Sequence, residues 1–146
     1  MAARWMVAAV VLAVSCAPRP EPVMDAGPGS PPELGSSLNV RVVEDTVVLE
    51  IHITNVASSP ITLEFPSSQR YDFAVSTAEG ESVWRWSAAR SFMQVLGSEE
   101  LQPGESRRYS ETWVGSGEGR EYVATGWVVS TSYPVELRTT FRVPEE

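Results

Sequence analysis

Val47-Val48-Leu49-Glu50-Ile51-His52-Ile53-Thr54 alternates along its whole length. Val47, Leu49, Ile51 and Ile53 take one set of positions, with Val48, Glu50, His52 and Thr54 between them. Side chains repeat every second residue only in a strand, so one face is read as buried and the other as solvated. The same period recurs downstream. Ile61, Leu63 and Phe65 alternate with Thr62 and Glu64; Tyr71, Phe73 and Val75 alternate with Asp72, Ala74 and Ser76. Val135, Leu137, Thr139, Phe141 and Val143 alternate with Glu136, Arg138, Thr140 and Arg142, and Glu121 to Ser130 is rich in Tyr, Val, Thr and Trp.

Turn-forming residues separate these runs: Asn55 to Pro60, Glu79-Gly80, Pro103-Gly104 and Gly115 to Gly119. A long amphipathic helix is not expected anywhere, and Ser87 to Leu96 has room for a turn or two of helix at most. About seven short strands at such spacing predict an all-β fold, an antiparallel β-sandwich. Cys16 is the only cysteine, so no internal disulfide can pin the sheets. Apolar packing must hold them, with Trp84, Trp86, Trp113 and Trp127 as the expected large core or interface side chains.

Upstream of position 38 the pattern is different. Met1 to Arg4 form a short basic start and Trp5 to Val14 an apolar run, too short to span a bilayer but matched to the core of a signal peptide. The run ends in Ala13-Val14-Ser15-Cys16, which resembles the bacterial lipoprotein box, where the cysteine is lipidated and becomes the new N-terminus. Ala17 to Ser37 is dominated by Pro, Gly and Ser and reads as a tether. The expected organisation is a signal peptide over 1–15, a lipidated Cys16 with tether over 16–37, and a folded domain over 38–146. The expected location is the bacterial cell envelope, extracytoplasmic and lipid-anchored. Ala17, rather than Asp, after the cysteine points to the outer membrane in a diderm organism.

Composition narrows the function. With 11 Lys+Arg against 19 Asp+Glu the net charge is −8, which opposes a nucleic-acid partner. One His and one Cys are too few for a zinc site, so neither a metal nor a cofactor is implied. A serine triad needs a base beside its nucleophile, and His52, the only histidine, sits on the polar face of a strand. Glu99-Glu100 and Glu145-Glu146 read as solvated loop and tail charges. The chain is therefore read as a binding protein and not an enzyme.

Three places suit a protein partner. In Val83-Trp84-Arg85-Trp86 either one tryptophan (Trp84 or Trp86) or Arg85 is exposed as an anchor, or both rings are buried with Arg85 stacked on a neighbour. In Pro66-Ser67-Ser68-Gln69-Arg70 a polar loop joins two apolar strands. Gln69 and Arg70 are either a substrate-like inhibitory loop or a turn with the glutamine bonded to backbone. In Ser87 to Gln94, Arg90, Phe92 and Met93 are expected to project from an irregular connection.

A series of short matches gives these places a context. Asn55, Pro60-Ile61-Thr62-Leu63-Glu64-Phe65, Ser68-Gln69-Arg70-Tyr71-Asp72-Phe73 and Val83-Trp84-Arg85-Trp86-Ser87 are followed by Phe92-Met93-Gln94 and Leu101-Gln102-Pro103-Gly104-Glu105. Trp113 and Gly119 to Tyr122 close the series. In order and spacing it resembles the BsuPI family of intracellular proteinase inhibitors. The resemblance implies an immunoglobulin-like sandwich and a protein partner, a subtilisin-like serine protease. A lipid-anchored envelope module with a structural or assembly role is the alternative.

Overall fold

The structure, a computed structural model, describes residues 31–115 and 119–144. The expected signal peptide, Cys16 and the tether as far as residue 30 lie outside the described residues.

Nine strands are present among the described residues: β1 Leu34–Val43, β2 Thr46–Asn55, β3 Ile61–Phe65, β4 Tyr71–Thr77, β5 Ser82–Arg85, β6 Gly97–Leu101, β7 Ser106–Val114, β8 Glu121–Val128 and β9 Val135–Arg142. They form three antiparallel groups, β1-β2-β7, β3-β6 and β5-β4-β8-β9. The fold is an antiparallel β-sandwich. The short β5 and β6 take the number above the seven expected.

The two-residue period places the core. Val47, Leu49, Ile51 and Ile53 of β2 are buried, as are Ile61, Leu63 and Phe65 of β3. They meet Phe73 and Val75 of β4, Ala124 and Val128 of β8, and Val135 and Leu137 of β9 in one apolar cluster. The layers approach closely at Gly126 of β8, where an added Cβ would lie 2.8 Å from Ile51 Cδ1. At one end of the sandwich Trp113 meets Tyr122 edge-on at 5.2 Å, and Tyr122 stacks on Phe141 at 5.6 Å. These rings supply the packing that a disulfide supplies elsewhere.

β1 starts at Leu34, which is fully buried, and pairs with β2 from Leu34↔Asn55 onward. The folded part thus begins four residues before the expected boundary. Gly35-Ser36-Ser37 carry no apolar period, and pairing with β2 makes them strand.

Two devices finish the sandwich. Asn55, fully buried, donates from Nδ2 to the carbonyls of Ser59 and Leu101, both at 2.9 Å, and accepts from Ala57 N–H at Oδ1. It ties the end of β2 to the end of β6. The open edge of β3 is covered by the β8–β9 connection. Thr131 N–H donates to the Glu64 carbonyl, while Ser132 Oγ accepts from Glu64 N–H and donates to the Thr62 carbonyl. An edge occupied in this way is a poor template for stray strand pairing.

Candidate functional site

The site is organised by Asp72. Period two put Asp72 on the polar face of β4, but it is 1% exposed. Its Oδ2 accepts from Arg85 Nε and from Ser87 Oγ, each at 2.7 Å, and its Oδ1 accepts from the N–H groups of Phe73 and Ser87. A buried carboxylate is tolerated only when paired and hydrogen-bonded, and here four donors do both. The bonds to Ser87 end β5 and start a 3₁₀ turn over Trp86–Ala89. Arg85 lies with its guanidinium carbon 5.0 Å from the centre of the Trp127 ring.

That turn aims Trp86 inward. Its ring stacks on Tyr71 at 4.5 Å, and Tyr71 stacks on Tyr109 of β7 at 4.9 Å. Tyr71 OH donates to Glu111 Oε1 at 2.6 Å. Burial together with Glu111 pushes the Tyr71 hydroxyl up to about 12, and burial with the charge of Glu99 does the same for Tyr109, also to about 12. On its other side Trp86 meets Phe92 at 5.7 Å and the Arg90 guanidinium at 4.4 Å. A run of rings therefore leads from β7 through β4 to the connection between the 3₁₀ turn and β6.

That connection, residues 90–96, has no regular structure. Met93 is 68%, Val95 53% and Leu96 88% exposed, so large apolar side chains face solvent in succession. The backbone is nevertheless held. Ser68 N–H donates to the Met93 carbonyl and Met93 N–H donates to Ser68 Oγ, both at 2.9 Å. At the far foot Gly97 pairs with Phe65. Arg70 braces this foot: Nε donates to Glu99 Oε1 at 2.9 Å, Nη1 donates to the Ser67 carbonyl at 2.8 Å, and the guanidinium carbon lies 4.4 Å from the Phe65 ring centre. A Cβ at position 97 would sit 2.5 Å from Arg70 Nη2, so glycine is what lets the guanidinium lie against this foot. Beside Leu96 runs a groove of about 340 Å³ whose walls include Phe65, Pro66 and Thr131.

The residues singled out from sequence separate into three roles. Gln69 donates from Nε2 to the Tyr71 carbonyl, and Arg70 is held in its brace, so both serve the connection between layers. Arg85 lies with Asp72 and Trp127. Trp86, Arg90 and Phe92 cluster at the base of the loop, and Met93 lies on it. Glu99 corrects an expectation: it lies in β6, paired with Arg70, and is not a solvated loop charge. Asp72, Ser68, Val95 and Leu96 were missed. The one sequence signal for the loop was several apolar residues in a stretch without period. His52 faces outward on β2, opposite Ser37 and Arg108.

Residues 34–133 match the BsuPI family, described as intracellular proteinase inhibitor. This overturns the expected extracytoplasmic, lipid-anchored location in the cell envelope. The family is described as intracellular, and an inhibitor must share a compartment with its protease. No curated protein matches the chain. Among solved structures, a penta-heme cytochrome c552 from Thermochromatium tepidum is similar at TM-score 0.49 and 10% identity, covering 75% of this chain and 40% of that one. A Bordetella pertussis protein described as ApaA gives TM-score 0.46 and 19% identity over 77% of this chain and 95% of that one. A Bacteroides uniformis β-glucuronidase gives 0.44 and 12% over 73% and 13%. The chain thus spans less than half of the first and a small part of the third. The family match, covering most of the folded part, is of a different kind: the chain belongs to the BsuPI family of intracellular proteinase inhibitors.

Proposed function

We propose that this chain inhibits a subtilisin-like serine protease by presenting residues 90–96 to the protease cleft. The observation that carries the proposal is the loop itself: exposed apolar side chains on a backbone fastened at its base by Trp86, in its middle by Ser68 and at its far foot by Arg70. A segment ordered before it binds loses less conformational entropy on docking, which is how a small contact area reaches useful affinity. An anchored loop is also harder to cut, because cleavage requires the chain to move through the cleft. The membership in a family of proteinase inhibitors supports the choice of a protease as partner.

The test is direct. The chain is incubated with subtilisin at micromolar concentration and the hydrolysis of a small peptide substrate is followed. Inhibition that is relieved by excess substrate is expected, with the chain recovered intact. Full protease activity at every concentration of the chain rejects the proposal.

A further inference from the structure

We infer that Leu96 is the residue that enters the primary specificity pocket of the protease, and that this pocket is apolar. The inference rests on the inhibitor reading above and sharpens it. A residue seated in such a pocket needs an outward side chain. It also needs free backbone groups, since the protease binds an extended segment through main-chain hydrogen bonds and polarises the carbonyl with its own donors.

Arg90, Phe92 and Met93 each fail one of these conditions. Arg90 lies on the Trp86 ring and its N–H is bonded to the Ser87 carbonyl at 3.1 Å. Phe92 packs against Trp86 and is half-buried. Met93 is exposed, but both its N–H and its carbonyl are taken by Ser68. Gln94 is polar. Val95 and Leu96 remain, and no hydrogen bond to the backbone of either occurs among the described residues.

Between these two, Leu96 is favoured by position and exposure. At 88% it is the most exposed large apolar side chain among the described residues. It immediately precedes Gly97, which pairs with Phe65 at the start of β6. The groove on its flank, between Phe65, Pro66 and Thr131, leaves space for the wall of a cleft to close around it.

The experiment compares the full chain with Leu96→Ala, Met93→Ala and Leu96→Arg, using subtilisin and trypsin as probes. Both native side chains project into solvent, so thermal midpoints should match the wild type and folding will not confound the result. Leu96→Ala is expected to weaken inhibition of subtilisin by about 100-fold and Met93→Ala by less than about 10-fold. Leu96→Arg is expected to lose subtilisin and to inhibit trypsin, which cuts after basic residues. If Met93→Ala costs as much as Leu96→Ala, or more, the Leu96 assignment is overturned while the loop reading stands. If neither alanine changes inhibition, or the wild type inhibits no protease with an apolar pocket, the assignment and the loop reading fall together.

Discussion

Ser68 and Met93 bind each other twice, Ser68 N–H to the Met93 carbonyl and Met93 N–H to Ser68 Oγ, both at 2.9 Å. The two residues come from different connections, one between β3 and β4 and one between the 3₁₀ turn and β6. The pair makes a solvent-facing loop behave as part of the sandwich. Ser68→Ala deletes one of the two bonds, contributing about 1 kcal/mol. Hydrogen exchange at the Met93 amide should speed up by roughly 5-fold, with exchange in the core strands unchanged.

Asp72 gathers four donors in a buried position. Asp72→Ala should lower the free energy of unfolding by about 3 kcal/mol, since it orphans the Ser87 and Phe73 donors and frees the 3₁₀ turn. Arg85 is more than half exposed, so Arg85→Ala should cost only about 1 kcal/mol. Urea denaturation of both variants and of the double mutant is the check. Equal costs for the two single changes would mean that the ion pair, and not the backbone bonds, holds the turn.

Tyr71 and Tyr109 both have hydroxyls pushed up to about 12 from an ordinary value of 10.0. In this window the unfolded chain releases both protons while the folded chain keeps them. The stability these two groups contribute is therefore fully present below pH 10 and is lost as pH rises toward 12. Urea midpoints measured across that interval should fall. Tyr109→Phe should flatten the fall, because its hydroxyl is buried without a partner among the described residues. A midpoint that holds steady to pH 12 would contradict the burial of both groups.

Gly126 faces Ile51 across the sandwich. Gly126→Ala should destabilise by about 1–3 kcal/mol through overpacking, and adding Ile51→Val should recover part of the loss by removing the methyl that meets the new Cβ. Thermal denaturation of the three variants measures this. Independent, additive effects would argue that the two strands do not face each other.

Asn55→Ala removes three hydrogen bonds from a fully buried site. The expected cost is about 3 kcal/mol, because the carbonyl of Leu101 is left buried without that donor. Asn55→Asp should cost at least as much, since a carboxylate cannot donate to either carbonyl. Both are read by denaturant midpoints.

Alternation by itself determined much of the architecture. The inward set of β2 and the whole inward set of β3 are buried as period two requires, and Val135 and Leu137 of β9 follow. A face pattern is written locally, so it can be read from neighbours two positions apart. β1, β5, β6 and β7 were less legible. Gly35-Ser36-Ser37 and Gly97-Ser98-Glu99-Glu100 carry no apolar period, and their partners in β2 and β3 make them strands.

The site was legible in composition but not in arrangement. Arg90, Phe92 and Met93 share one irregular connection, but Arg90 and Phe92 pack on Trp86 instead of projecting freely, and which backbone is free and which is held depends on distant residues. Met93 is clamped by a serine 25 positions earlier, and Arg70 finds its carboxylate 29 positions later. Asp72 is buried on a face that its own neighbours mark as polar, because Arg85 and Ser87 return to cover it. Hydrophobic periodicity is a property of one strand, and the sequence determined it alone. Ion pairing and loop exposure depend on which strands lie side by side, and only the tertiary structure decided that.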